Sequence, residues 1–199
     1  MIKIAPSILS ADFANLERDV RLIKKAGAHY VHIDVMDGIF VPNISIGPPV
    51  IKSLRKVCDM VFDVHLMINE PVRYIEAVAD SGADIITVHL EACRDIQVTL
   101  NRIRDLGVKA GISIKPETGI DGMLGYLEQI DLIQVMTVNP GFGGQDLLPH
   151  TLDKIKKLRH IIDNRNLKTE IEADGGVTLD NAPALIDRGV DVLVAGSAI

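Results

Sequence analysis

The chain has 199 residues, 47% hydrophobic and 24% charged, which fits a single aliphatic core of ordinary domain size. Its net charge of −6 and pI near 5.5 exclude nucleic acid as the main partner, because binding a phosphate backbone needs a basic face. Two cysteines, Cys58 and Cys93, without a C-x-x-C pattern, exclude a disulfide framework and predict a reducing, cytoplasmic location.

Met1–Pro6 lacks the basic and apolar runs of a secretory signal, and no apolar run approaches the roughly 20 residues that span a bilayer. No linker, low-complexity tract or charge block divides the chain, so residues 1–199 are expected to form one domain.

Apolar runs of strand length alternate with segments of helical period. The predicted order is strand 2–9, helix 12–26, strand 28–36, helix 48–57, strand 60–67, helix 71–81, strand 84–90 and helix 96–106. It continues with strand 108–114, helix 120–129, strand 131–138, helix 148–164, strand 168–173, helix 179–188 and strand 190–195. A Gly-centred junction ending in Asp or His recurs at Ala26–His29, Ser81–Asp84 and Arg188–Asp191. It suits the left-handed residue that ends a helix before a strand. Strict alternation implies parallel strands with right-handed crossovers. Eight such strands in about 200 residues predict a (β/α)8 TIM barrel rather than an open sheet. The sequence stops just past the eighth strand, at Gly196–Ile199, so the predicted barrel lacks the eighth helix. Either the chain is truncated there or something else covers that face.

The stretch Val31-His32-Ile33-Asp34-Val35-Met36-Asp37-Gly38 organises the chemistry. Alternation along a strand puts His32, Asp34 and Met36 on one face. Barrel active sites lie at the C-terminal strand ends. The residues expected there are Ser7, His32, Asp34, His65, His89, Lys115, Met136, Asp174 and Ser197. Any one histidine alone reads as a core residue hydrogen-bonded to backbone. Together, His32, Asp34, His65 and Asp174 form a mixed nitrogen and oxygen set suited to one divalent ion: Zn, Fe(II), Mn or Co. Without a cation the two carboxylates would repel, and one would stay protonated.

Three Gly-containing loops follow strands six, seven and eight: Asn139-Pro140-Gly141-Phe142-Gly143-Gly144-Gln145, Asp174-Gly175-Gly176 and Gly196-Ser197. A single loop of this kind reads as a tight turn. Three neighbouring ones predict a phosphate site, since glycine lets backbone N–H groups converge on an anion. Met36, Met67 and Met136 read equally as core filler or as a deformable apolar lining. A phosphate clamp, a cation and two carboxylates predict inversion at a carbon next to a ketone. The cation stabilises an enediolate, while one carboxylate removes a proton and the other returns one.

These residues resemble the ribulose-phosphate 3-epimerase family. The likeness runs from Ala5–Phe13 to Val194–Ile199. It is most specific at Val31–Asn43, Asp63–Met67, Met136–Gln145 and Glu172–Val177. The resemblance implies a TIM barrel of the ribulose-phosphate-binding type and interconversion of D-ribulose 5-phosphate and D-xylulose 5-phosphate. It implies zinc or another divalent ion on His32, Asp34, His65 and Asp174, with Asp34 and Asp174 as the acid/base pair. Ser7 and His65 would touch the sugar. Gly141, Phe142, Gly143, Gly144, Gly175, Gly176, Gly196 and Ser197 would hold the phosphate or its approach. A homo-oligomer is implied as well.

The sequence departs from the family pattern at Asp146–Pro149, at Ala173 and at Lys115-Pro116, none a ligand position; Lys115 would alter contacts at the rim. Two rival readings are an allulose 6-phosphate 3-epimerase with the same machinery and a non-catalytic phosphosugar-binding barrel. The Gly-rich loops look more like those of the pentulose enzyme. A binding protein would be expected to lose part of the His/Asp set, which is complete here.

Overall fold

The computed structural model describes residues 1–199. Eight parallel strands form one sheet: β1 (Lys3–Pro6), β2 (Tyr30–Met36), β3 (Val61–Met67), β4 (Ile85–His89), β5 (Lys109–Ile114), β6 (Leu132–Met136), β7 (Glu170–Asp174) and β8 (Val192–Ala195). Each pairs with its neighbours in sequence, and β1 pairs with β8. A parallel bridge between Ser7 and His32 brings β1 to β2 and closes the ring. The predicted barrel is present.

The helices between strands are α1 (Leu16–Lys25), α2 (Pro48–Arg55), α3 (Ile75–Asp80), α4 (Ile96–Asp105), α5 (Thr151–Asn164) and α6 (Ala182–Asp187). One predicted helix is corrected. Residues 120–129 form two short 3-10 turns, Asp121–Met123 and Leu127–Gln129. Gly122 and Gly125 fall inside this stretch, and glycine costs an α-helix interior about 1 kcal/mol each relative to Ala. Residues 196–199, after β8, are not helical. An open groove of about 360 Å³ lies there, lined by residues that include Ile8, Leu22, Ile23, Ala195 and Ile199.

Strand alternation sorts the core into two layers. Val31, Ile33, Val35, Phe62, Val64, Leu66, Ile112, Ile133 and Ile171 face outward and pack with the helices in the main core. Their alternates point into the barrel. Ala5, Tyr30, Ile85, Leu132, Val192 and Val194 form an interior apolar plug that starts at the lower end and reaches the upper cavity through Val194. Above it the interior turns polar, with Asp63, Thr87, Ser113, Gln134 and Glu172 all fully buried. A strand covered on both faces must be buried throughout, and all seven residues of β2 are.

The recurrent Gly junctions acquire a second purpose in the fold. Gly27, Gly82 and Gly189 take φ of +91°, +104° and +95°, as a left-handed helix end requires. The residue two positions on then secures the adjacent strand. Asp84 Oδ2 accepts from Phe62 N at 2.7 Å, Asp191 Oδ2 from Ile171 N at 2.9 Å, and His29 Nδ1 from Ile4 N at 3.1 Å. These bonds satisfy strand-edge N–H groups that would otherwise lack partners, and so help fix the register that aligns the upper strand ends.

Candidate active site

The register sets the polar residues of β2, β3, β6 and β7 at common levels. Asp34 lies opposite His65, and Met136 opposite Asp174. Their side chains converge inside the barrel. His32 Nε2 lies 3.4 Å from Asp34 Oδ1 and 3.6 Å from Asp174 Oδ2. His65 Nδ1 lies 3.0 Å from Asp34 Oδ1 and 3.5 Å from Asp174 Oδ2. One atom from each of the four residues falls within 4.8 Å of the others. The structure thus brings together the whole ligand set read from the sequence.

The electrostatics follow from burial. Burial alone would push both carboxyls up; His32 and His65 outweigh it and hold Asp34 and Asp174 below the usual carboxylate range. Burial likewise disfavours charge on the two rings. Asp34 and Asp63 raise His32 well above its ordinary value, and Asp174 and Asp34 raise His65. His32 Nε2 is buried without a hydrogen-bond partner, an arrangement that costs about 1–3 kcal/mol unless something occupies its lone pair or proton. Two imidazole nitrogens, one of them the orphaned His32 Nε2, and two carboxylate oxygens fit a divalent cation.

Above this cluster opens a cavity of about 320 Å³. Ser7, Asp34 and Asp174 line it, together with Gly141, Phe142, Gly143, Gly144, Gly175, Gly176, Gly196 and Ser197. His32 and His65 are fully buried and lie behind the carboxylates rather than on the cavity wall. Ser7 caps the short turn after β1, accepting from Leu9 N, and donates to Asp34 Oδ2 at 2.7 Å. Met36, Met67 and Met136 sit on the cavity wall and are nearly fully buried, so they serve as both lining and filler.

The Gly-rich loops are held from behind. Gln145 Nε2 donates to the carbonyls of Asn139 and Phe142 at 2.7 and 2.8 Å, and Asn43 Nδ2 donates to the Gly141 carbonyl at 2.8 Å. Gly176 has φ +65°, and a Cβ there would lie 2.5 Å from Leu147 N, so the turn admits only glycine. The backbone N–H groups of Gly143, Gly144, Gly176, Gly196 and Ser197 make no hydrogen bond within the chain. No lysine or arginine lines the cavity.

Several contributors escaped the sequence reading. Gln134 Nε2 donates to Asp174 Oδ2 at 2.7 Å and to His65 Nδ1 at 3.1 Å. Asp63 Oδ2 lies 2.7 Å from His32 Nδ1, with Glu172 Oε1 3.8 Å from the same nitrogen. Burial, then Asp63, pushes the Glu172 carboxyl well above its ordinary value. The signal was present, because Asp63, Gln134 and Glu172 each stand two residues before His65, Met136 and Asp174 on the same strand face. His89, given no role by the sequence, and Lys115, expected at the rim, also find partners. His65 Nε2 lies 2.9 Å from His89 Nε2, and Lys115 Nζ sits 4.1 Å from the centre of the Phe40 ring, which packs on His89.

Comparison with known proteins agrees with this geometry. A family model described as "Ribulose-phosphate 3 epimerase family" matches residues 3–199. A Bacillus subtilis ribulose-phosphate 3-epimerase is 50% identical, covering 100% of this chain and 92% of the relative. The Escherichia coli protein of the same name is 46% identical over 98% of this chain and 88% of its own. A chloroplastic ribulose-5-phosphate-3-epimerase of Arabidopsis thaliana is 46% identical, covering 100% and 71%. Among solved structures, a tryptophan synthase alpha-subunit from Pyrococcus furiosus superposes with a TM-score of 0.72 at 13% identity, covering 100% of this chain and 89% of that one; this likeness carries the fold alone. The full-length match and these identities, on a barrel that gathers His32, Asp34, His65 and Asp174 at its upper end, show that the chain belongs to the ribulose-phosphate 3-epimerase family.

Proposed function

We propose that this chain interconverts D-ribulose 5-phosphate and D-xylulose 5-phosphate, with Asp34 and Asp174 as the two proton carriers. The observation that carries the reading is that both carboxylates open onto one cavity, with the same two imidazoles within 3.0–3.6 Å of them. One carboxylate takes the proton from the carbon beside the ketone. The other, entering the cycle as a carboxylic acid, gives its proton to the opposite face. The first ends protonated and the second ionised, and the configuration at that carbon is inverted. The reverse direction exchanges their roles.

His32, Asp34, His65 and Asp174 would hold the divalent ion, with zinc the reading preferred over Fe(II), Mn or Co. When bound, it supplies positive charge against the negative charge that develops on the substrate oxygens. Ser7 positions Asp34, and Gln134 positions Asp174. The free N–H groups of Gly143, Gly144, Gly176, Gly196 and Ser197 receive the phosphate, which explains a phosphosugar site without a basic side chain. The methionines keep water from the reacting carbon.

Two unbridged cysteines support a reducing cytoplasm, and no helix is long and apolar enough to cross a membrane. Ile39 and Ile44, each 76% exposed on the loop after β2, support a homo-oligomer.

Incubation with ribulose 5-phosphate in D₂O tests the function. Xylulose 5-phosphate carrying deuterium at C3 is the expected product. Its absence, with the folded protein loaded with zinc, overturns the reading in favour of a phosphosugar-binding barrel.

A further inference from the structure

His65 is gripped from both sides, and the side away from the cavity forms a chain of its own. His65 Nε2 meets His89 Nε2 at 2.9 Å, and His89 Nδ1 meets Glu91 Oε2 at 3.2 Å. Glu91 is fixed in turn: its Oε1 accepts from Lys115 N at 2.8 Å and from the Thr118 hydroxyl. Both rings are fully buried, and Phe40 packs on His89 with ring centres 4.7 Å apart.

Donor and acceptor counting then fixes the protons. An ionised carboxylate only accepts, so His89 Nδ1 must carry the hydrogen it gives to Glu91. In a neutral ring this leaves a lone pair on His89 Nε2. That nitrogen must therefore accept from His65 Nε2–H. His65 Nδ1 is thereby the nitrogen left to face Asp34 and Asp174, where its lone pair is available to a cation held by the same carboxylates. His32 is set the opposite way round, with Asp63 on its Nδ1 and Nε2 facing Asp34 and Asp174. The two rings thus present opposite nitrogens to the same point, each backed by a carboxylate.

We propose that His89 and Glu91 are positioning residues for the metal site: Glu91, acting through His89, holds His65 in the form whose Nδ1 binds the cation. This inference rests on the metal reading of the site given above. A carboxylate behind a ligating imidazole orients the ring and raises its basicity, and removing such a partner costs about 10–100-fold in metal affinity.

Two measurements test the inference. The first is ¹⁵N NMR of the histidine rings in the metal-free wild type, where His89 is expected to be protonated at Nδ1 and bare at Nε2. A hydrogen on His89 Nε2 overturns the proposal, since that nitrogen could not then accept from His65. The second is zinc affinity, by competition with a chromophoric chelator, for wild type, Glu91→Gln and His89→Phe, each checked for fold by circular dichroism. The expected loss is about 10–100-fold for His89→Phe and less for Glu91→Gln, whose amide oxygen can still accept. Near-wild-type zinc affinity in folded His89→Phe and Glu91→Gln overturns the proposal alone. No zinc binding by the wild type overturns the metal reading and the proposal with it. If His89→Phe does not fold, Glu91→Gln decides: it leaves His89 in place, and an unchanged affinity is the refuting result.

Discussion

Strands β2 and β7 bring ionisable groups to both ends of the barrel, and the two ends are built on different principles. At the lower end, Lys3 Nζ donates to the Tyr30 hydroxyl at 2.7 Å and pairs with Glu170, while that hydroxyl reaches Glu170 Oε2 at 3.3 Å. Every group there has its partner within the chain. At the upper end the same strands and β3 leave His32 Nε2, one oxygen of Asp63 and both oxygens of Glu172 without partners. The lower cluster is complete as it stands and can only support the fold. The upper cluster keeps buried polar atoms without partners in the chain, which the lower one does not. Charge at a strand end is therefore not itself a sign of function; unsatisfied, convergent charge is. Barrel folds divide labour between their ends in the same sense.

The sharpest way to break this comparison is Asp174→Asn. Loss of one of the two proton carriers is expected to cut kcat by at least the roughly 10²–10⁴-fold typical of a general acid or base, with the circular dichroism spectrum unchanged. Near-normal conversion of ribulose 5-phosphate would sink the two-carboxylate scheme. Chelation comes next. A strong chelator should abolish turnover and lower Tm, and added zinc should restore both. An enzyme indifferent to the chelator would leave the orphaned His32 nitrogen unexplained.

Gly176→Ala is expected to damage both stability and substrate binding. Its Cβ would meet Leu147 N at 2.5 Å on a backbone of φ +65°. Strain of this kind costs about 1–3 kcal/mol, readable as a lower urea midpoint together with a raised KM. At the other end, Lys3→Met should lower stability by about 1.5–3 kcal/mol, the worth of hydrogen bonds to a charged group, while kcat and KM stay put. A change in kcat there would erase the distinction between the ends.

The smallest effect is on pH dependence. Burial depresses His89 from 6.5 to about 4, so it binds its proton more weakly in the folded state than in the unfolded state. The stability it contributes is present above pH 6.5 and is lost as pH falls through about 4. His32 and His65 are raised, so theirs is present below pH 6.5 and lost as pH climbs through their folded values. Denaturation of His89→Phe between pH 6.5 and 4 should therefore show a shallower acid loss than wild type, which isolates this ring from the other two.

Much of this was legible in the chain. Alternation along eight strands and Gly-ended helices specify a barrel because each element declares its own period locally. The ligand set was legible because His32 and Asp34 share a strand face, and because His65 and Asp174 fall at equivalent strand ends. The Gly-rich loops declared themselves by composition. What local pattern could not supply was partnership across strands. Gln134 in an apolar run looks like an isolated polar residue until β6 lies beside β7. Asp63 and Glu172 are far apart in sequence, yet both meet His32 Nδ1. Glu91 reads as a solvent-facing acid until Thr118 and the Lys115 N–H bind it. Residues 120–129 kept a helical period but not a helix, since two glycines weaken a segment that the barrel does not require to be regular.

The sequence by itself determined the barrel, the order of its strands and the four converging candidate ligands, because these depend on periodicity and on residue types at strand ends. Only the tertiary structure decided which nitrogen of each histidine faces Asp34 and Asp174, which N–H groups of the Gly-rich loops are left without partners, and which of two charged clusters is complete. Those choices depend on distances of a few ångströms between residues brought together by the closed sheet, and no local pattern encodes such a distance.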